Sequence, residues 1–208
     1  RKVHMEENMI ITISRQYGSG GSQVAKILAE RMGVWCYDRD ILTIAAERIG
    51  NEELTEDTIN DLNYKRNDVA SAGITGVMGM GNIPIYNQMF LEQAKIIRKL
   101  ANYGSAVFLG RCADFVLKNY ENHYSFFIYA DDEFKEKRAK ELYGNASVED
   151  LHKEDKNRAD YYNYYTGNRW GDINNYDFAI NTSKVSFEEA ADLIYRFAKD
   201  KQKNLKDR

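Results

Sequence analysis

The 208-residue sequence is poor in proline, cysteine and histidine, with one, two and three of them respectively. A single proline excludes collagen and proline-rich linkers. Cys36 and Cys112 are too far apart in the sequence for a CxxC zinc motif, and two cysteines provide no disulfide framework. We therefore expect a reduced protein of the cytoplasm.

The sequence also has neither a large excess of one charge sign nor a long apolar run. The 29 basic and 32 acidic residues give a net charge of −3, which removes the electrostatic basis for general nucleic-acid binding. No stretch approaches the roughly 20 apolar residues of a membrane-spanning helix, and residues 1–8 lack the apolar core of a signal peptide. We expect neither nucleic acid nor a membrane as a partner.

Five short apolar runs predict strands within an ordinary globular composition of 43% apolar and 29% charged residues. The runs are nearly continuous, which is typical of strands buried on both faces. They span residues 9–14, 34–38, 105–110, 125–130 and 176–181.

Segments with helical apolar spacing lie between these runs, for example residues 24–32, for which Gly33 is the expected helix end. Strands that alternate with helices pair in parallel through right-handed crossovers. The sequence therefore predicts a single α/β domain over residues 1–208, a three-layer α/β/α sandwich with a five-stranded parallel sheet.

Two connections are longer than a crossover requires: residues 39–104 and the highly polar residues 131–175. In open parallel sheets, ligands bind beyond the carboxyl ends of the strands. Long excursions at that edge are expected to cover a binding site.

A glycine-rich turn follows the first predicted strand and precedes a helix. Its glycines allow backbone N–H groups to turn toward an anion, and the helix adds unsatisfied N–H groups and a partial positive charge. The turn is either a phosphate-binding loop or a tight strand–helix connection, and its position after the first strand favours phosphate. The expected phosphate-binding residues are Gly18, Ser19, Gly20, Gly21 and Ser22.

This turn departs from the P-loop motif GxxxxGK[ST] at two positions. Gly20 keeps the second glycine and Ser22 keeps the hydroxyl that binds Mg²⁺, but Gly21 replaces the lysine and Arg15 replaces the first glycine. The loss of such a charge costs about 3–4 kcal/mol of transition-state stabilisation. Arg15 is favoured as the replacement cation, because Lys26 lies in the second helical turn and is expected to face solvent.

Together with this turn, further segments resemble the cytidylate kinase-like family of P-loop nucleoside monophosphate kinases over nearly the whole chain. The matching segments are residues 11–26, 37–42, 108–114 and 155–158, and Arg138 aligns with an arginine just before the lid. The resemblance implies a P-loop NTPase fold, with a nucleoside monophosphate-binding insertion at about 39–104 and a lid at about 138–175. In the segment after the third strand, Cys112 replaces the family's aspartate, and Asp114 follows two positions later.

The resemblance implies phosphoryl transfer from ATP, with Mg²⁺, to a nucleoside monophosphate, with CMP or dCMP as the inherited substrate. The residues expected to act on the transferring group are Arg15, Arg111, Arg138 and Arg158. Those expected to bind the acceptor are Asp38, Arg39, Arg111 and Asp114. Two alternatives stay open: a nucleotide-binding module that lost catalysis with the lysine, and a kinase of the same fold with a non-nucleotide acceptor.

Four tyrosines and a tryptophan cluster in the predicted lid: Tyr161, Tyr162, Tyr164, Tyr165 and Trp170. Aromatic faces can stack on a base. Their helical spacing is also typical of a packing seam or of a contact between two copies of the chain. Either of these is favoured over stacking on a base.

Overall fold

The computed structural model describes residues 8–39, 83–144 and 147–206, so most of the predicted insertion at 39–104 lies outside the described residues. The strands are β1 (Ile10–Arg15), β2 (Trp35–Tyr37), β3 (Ala106–Leu109), β4 (His123–Tyr129) and β5 (Phe178–Asn181). The helices are α1 (Gly21–Met32), α2 (Ile83–Tyr103), α3 (Ala113–Val116), α4 (Asp132–Tyr143), α5 (Val148–Thr166) and α6 (Phe187–Lys206), with a 3-10 helix (Ile173–Asn175) before β5.

The five strands form one parallel sheet in the order β2-β3-β1-β4-β5. The first strand is central, and Ile10 pairs with Ala106 on one side and His123 on the other. This confirms the predicted α/β class and five-stranded parallel sheet. The last strand starts two residues later than predicted, because a 3-10 turn ends with the Tyr176 N–H donating to the Ile173 carbonyl oxygen.

Helices cover both faces of the sheet. Successive residues of a strand point to opposite faces, so Ile10 and Ile11 enter different apolar clusters. One cluster joins the sheet to α1 and α6, with Ile11, Val24, Leu28, Phe126 and Ile194 among its members. The other joins the sheet to α2 and α3, with Ile10, Ile97, Leu100, Phe108 and Leu117 among its members. The predicted three-layer arrangement is therefore present.

Helix ends are set by local hydrogen bonds. Helix α1 ends at Gly33, as predicted, with φ of +64° and the Gly33 N–H bound to the Glu30 carbonyl oxygen. Helix α5 begins with a capping box in which Ser147 and Asp150 bind each other's backbone N–H groups. None of the described helices is long and apolar enough to cross a membrane.

The polar helices α4 and α5 lie between β4 and β5 in the chain, and α5 folds back over the carboxyl ends of the central strands. Only Leu151 and Tyr162 of α5 are buried. The Arg158 side chain donates to the carbonyl oxygen of Arg15, the last residue of β1, at 2.7 Å. Because parallel strands all end at this edge, α5 covers the place where a ligand is expected.

Gly33→Ala should lower the free energy of unfolding by about 1–2 kcal/mol, because an L residue is disfavoured in the left-handed region. Gly104→Ala is a matched control, since a new Cβ meets nothing within 4 Å at either position and only Gly33 has a left-handed φ. The control should be neutral or stabilising by up to about 1 kcal/mol. Urea unfolding measures the free energy of unfolding of both variants. Equal effects of the two substitutions would contradict the left-handed conformation of Gly33.

Candidate functional site

A cavity of about 840 Å³ opens at the carboxyl ends of β1 and β3, beside α5. Its basic lining residues are Arg15, Arg39, Arg111 and Arg158. Its aromatic lining residues are Tyr161, Tyr162, Tyr164, Tyr165 and Trp170. Guanidinium groups bind phosphate and aromatic rings stack on planar groups, so the cavity suits a phosphorylated molecule that carries a ring.

Arg15 ends β1, and its side chain runs across the neighbouring strand end. The stem packs on Gly21, and the guanidinium reaches the place that a Cβ would take at Gly110. Burial lowers the pKa of Arg15 to about 9, and the positive charge of Arg158 adds to this shift. In the part of the chain that is described, the buried Arg15 Nε has no hydrogen-bond partner. Such a group favours an anionic ligand.

The two departures from the P-loop motif, Arg15 and Gly21, depend on each other because their residues are in direct contact. A Cβ at Gly21 would lie less than 3.0 Å from both Cβ and Cγ of Arg15, and 3.2 Å from Cβ of Ile128. Real Cβ atoms do not approach that closely, so the arginine at the first-glycine position requires glycine at the lysine position.

The glycine-rich turn is bent by its own hydrogen bonds. Gly18 and Gly20 adopt φ of +77° and +80°, which few other residues tolerate. The buried Ser19 hydroxyl donates to the Gln16 carbonyl oxygen at 2.7 Å and accepts from the Gly21 N–H at 3.3 Å. Ser19 therefore holds the shape of the turn through its side chain.

Several backbone amides of this turn donate to no group in the described part of the protein. Within the described residues, the N–H groups of Gly18, Gly20 and Ser22 have no protein acceptor. Ser22 lies in the first turn of α1, where N–H groups have no intrahelical acceptor. The amide of Tyr17, which immediately precedes Gly18, donates to the Asp155 carboxylate of α5 at 2.6 Å. One amide of the turn thus already holds an anionic group of the protein.

A second cleft, of about 400 Å³, lies between α4 and the start of α6. The Arg138 guanidinium lies 4.7 Å from the centre of the Phe187 ring, and this ring packs on Gly20. The Arg138 Nε is buried and has no hydrogen-bond partner among the described residues. The structure thus separates two predicted arginines. Arg158 lines the large cavity, whereas Arg138 lines the second cleft, beside the glycine-rich turn.

Arg111 and Cys112 follow β3 in an unusual backbone conformation. Gly110, Arg111 and Cys112 have φ of +74°, +57° and +57°, and each non-glycine residue in this region costs about 1–3 kcal/mol. The turn places the Arg111 guanidinium 5.1 Å from the centre of the Tyr161 ring. Burial raises the pKa of the Cys112 thiol, so Cys112 contributes to the lining as an uncharged group.

Asp114 lies behind the cavity wall. Its carboxylate accepts a hydrogen bond of 2.6 Å from the Tyr162 hydroxyl, which joins α3 to α5. Burial raises the pKa of Asp114 to about 6. Asp38 follows β2, and its negative charge acts on Arg15. Of the residues expected to bind the acceptor, Arg39 and Arg111 line the cavity.

The family model for cytidylate kinase-like proteins matches residues 10–184. The chain belongs to the cytidylate kinase-like family. An uncharacterised protein from Eubacterium ventriosum is 29% identical, with 92% of this chain and 99% of that chain covered and a TM-score of 0.69. The comparison with curated proteins found no match.

More distant solved structures share the fold. Shikimate kinase from Bacteroides thetaiotaomicron is 12% identical, with 92% of this chain and 98% of that chain covered and a TM-score of 0.50. A protein from Thermus thermophilus is 16% identical, with 93% and 98% covered and a TM-score of 0.52. The cytidylate kinase-like chain therefore has the P-loop kinase fold, as the sequence predicted.

Three residues of this cytidylate kinase-like site escaped the sequence reasoning. Asp155 lies in the segment 155–158, for which the sequence predicts a role of Arg158 alone. Phe187 has the spacing of a core residue, and Lys135 lies in a run of charged residues that resembles a solvated helix face. Their placement at the turn depends on contacts between distant segments, for which the local pattern carries no signal.

Gly21→Lys should destabilise the protein by about 1–3 kcal/mol or more, because the new side chain overlaps the Arg15 stem. Adding Arg15→Gly removes the overlap and should recover most of the loss, which a double-mutant cycle measures as a coupling free energy. Urea unfolding of the four proteins provides the data. A stable Gly21→Lys single variant, or zero coupling, would contradict the packing.

The buried Asp114 carboxyl should make stability fall as the pH rises. Its pKa is 3.8 ordinarily and about 6 in the fold, so between these values the folded state binds more protons than the unfolded state. This contribution is fully present below about pH 4, and about 3 kcal/mol is lost as the pH rises through 6. Asp114→Asn keeps an acceptor for Tyr162 and should remove the loss. A stability difference between variant and wild type that stays constant from pH 4 to 7 would exclude it.

Proposed function

We propose that this protein transfers the terminal phosphoryl group of ATP to a nucleoside monophosphate, with CMP or dCMP as the first candidates. The observation that carries the proposal is the cavity at the carboxyl ends of β1 and β3, which four arginines and five aromatic side chains line. Phosphoryl transfer requires positioning and charge stabilisation more than covalent participation of the protein. The arrangement supplies both.

The acceptor is proposed to bind in the large cavity. Arg39 and Arg111 are available for its phosphate, and the tyrosines of α5 are available for its base. Tyr161 is already covered by the Arg111 guanidinium, whereas Tyr164 is 63% exposed. Tyr164 is therefore the ring of this wall most accessible for stacking.

The donor is proposed to bind across the turn. The amides of Gly18, Gly20 and Ser22 are proposed to bind its phosphates, and the cleft between α4 and the start of α6, which Arg138 and Phe187 line, is proposed to bind its base. The donor and acceptor would then meet at the turn, where two cations lie close together. Arg158 is bonded to the Arg15 carbonyl oxygen at 2.7 Å and lowers the pKa of the Arg15 guanidinium. Negative charge on the transferring phosphoryl group would reduce the repulsion between the Arg15 and Arg158 guanidinium groups.

The Mg²⁺ that such a reaction requires fits Ser22. This half-buried hydroxyl lies in the first turn of α1, beside the amides proposed for the phosphates. The described residues contain no group of three or more carboxylate, histidine or cysteine side chains that could hold a metal ion. Ser22 together with nucleotide oxygens and water would hold it, and the bound ion would neutralise phosphate charge.

A second candidate, a nucleotide-binding module without turnover, is favoured by a different observation. Gly21 carries no cation, the Phe187 ring packs on Gly20, and Asp155 already binds the Tyr17 amide. Under this alternative the protein binds ATP and transfers nothing.

Incubation with Mg²⁺-ATP and a panel of monophosphates, with ADP followed over time, separates the two functions. We expect turnover on a pyrimidine monophosphate. Arg111→Ala should lower kcat/KM by about 10–100-fold, since a charge-assisted hydrogen bond is worth roughly 1.5–3 kcal/mol. The exposed Lys118, which lies on the Phe115 ring, provides the control Lys118→Ala, expected to stay near wild type.

ATP binding without turnover on any acceptor would support the module instead. A wild-type protein that binds no ATP would contradict both functions.

A further inference from the structure

A lysine from outside the glycine-rich turn is packed against it. Lys135 lies in the first turn of α4, and only 3% of it is exposed. Its carbonyl oxygen and Cβ lie 3.1 and 3.2 Å from the place that a Cβ would take at Gly18. The glycine at position 18 therefore allows the main chain and stem of this lysine to lie directly on the turn.

The Lys135 ammonium is tied to the turn and to its own helix. Its Nζ lies 2.8 Å from an Asp132 carboxylate oxygen and 3.3 Å from the Gln16 side-chain oxygen. Gln16 is the first residue after β1, and the same oxygen accepts from the Ala130 N–H at 3.2 Å. An ammonium has three N–H bonds, and the described residues provide acceptors for two of them. One donor remains for a ligand.

The carboxylate paired with Lys135 is half exposed and is shared with a second side chain. Its carboxylate partner, Asp132, is 55% exposed on its side chain and also lies 3.3 Å from the His152 ring nitrogen Nε2. A buried ammonium is costly unless it is well paired. A bound anion at the turn would complete its environment.

An anionic group of the protein already lies at the turn. The Asp155 carboxylate accepts the Tyr17 N–H, and burial raises the pKa of Asp155. Arg158 and Lys135 act in the opposite direction, so this carboxylate lies within the fields of both cations. A nucleotide phosphate bound by the adjacent Gly18 amide would experience the same fields.

We propose that Lys135 contacts the donor phosphates and supplies the cation that the glycine-rich turn lacks at Gly21. This inference rests on the donor site proposed above. It also reassigns Arg15, whose guanidinium lies over Gly110 in the large cavity, to the acceptor. Lys135 neither gives nor takes a proton in the transfer, since its contribution is electrostatic.

The test compares two lysines of one helix. Lys140 is exposed and pairs with Glu136 at 2.7 Å, four residues earlier, so Lys140→Met is the matched control for Lys135→Met. Calorimetry measures binding of Mg²⁺-ATP and of CMP, and the ADP assay measures turnover. Lys135→Met should weaken ATP binding at least about tenfold and lower kcat about 100-fold, with CMP binding unchanged. The control should stay within about twofold of wild type for each quantity.

Arg15→Met should show the opposite pattern, with weaker CMP binding and retained ATP binding. ATP binding by Lys135→Met within twofold of wild type would overturn the assignment, as would loss of ATP binding by Arg15→Met alone.

Absence of turnover in the wild type would refute the proposed function but leave this inference testable, because the affinities for ATP and inorganic tripolyphosphate still report on Lys135. A wild type that binds neither compound refutes it. If Lys135→Met does not fold, Asp132→Asn replaces it. That variant removes the exposed partner of the ammonium and should strengthen ATP binding, and an unchanged or weaker affinity counts against the proposal.

Discussion

The contact between the Arg15 stem and Gly21 determines how this site is built. It excludes a side chain at the position where P-loop kinases place their lysine, and it sends a guanidinium across the end of β3 into the large cavity. The cation at the end of β1 therefore lies in the large cavity, while position 21 of the turn carries no side chain. Any charge stabilisation at the turn itself has to come from elements that reach it from outside, namely α4 and α5.

Helix α5 connects three parts of the site through one of its faces. Asp155, Arg158 and Tyr162 are spaced by three and four residues, so they project from neighbouring turns of the helix. They bind the turn at Tyr17, the end of β1 and the start of α3, respectively. Helix α5 is thus joined to the turn, to β1 and to α3 by polar contacts.

Membership of the cytidylate kinase-like family and the P-loop kinase fold agree with this organisation. The large cavity and the smaller cleft each include a residue that contacts the glycine-rich turn, since Arg15 packs on Gly21 and Phe187 packs on Gly20. Phosphoryl transfer in general depends mainly on the placement of charge. The cationic side chains around the turn come from the ends of β1 and β3, from α4 and from α5.

The sequence by itself determined the α/β fold, the parallel sheet, the glycine-rich turn and the arginines at the strand ends. These features are encoded locally, because buried parallel strands are continuously apolar and tight turns require glycine. Only the tertiary structure decided that Arg15 and Gly21 exclude larger neighbours, that Arg138 lies in a separate cleft and that Lys135 is buried against Gly18. Each of these depends on how segments from different parts of the chain pack at a distance of a few ångströms, and sequence periodicity contains no information about that packing.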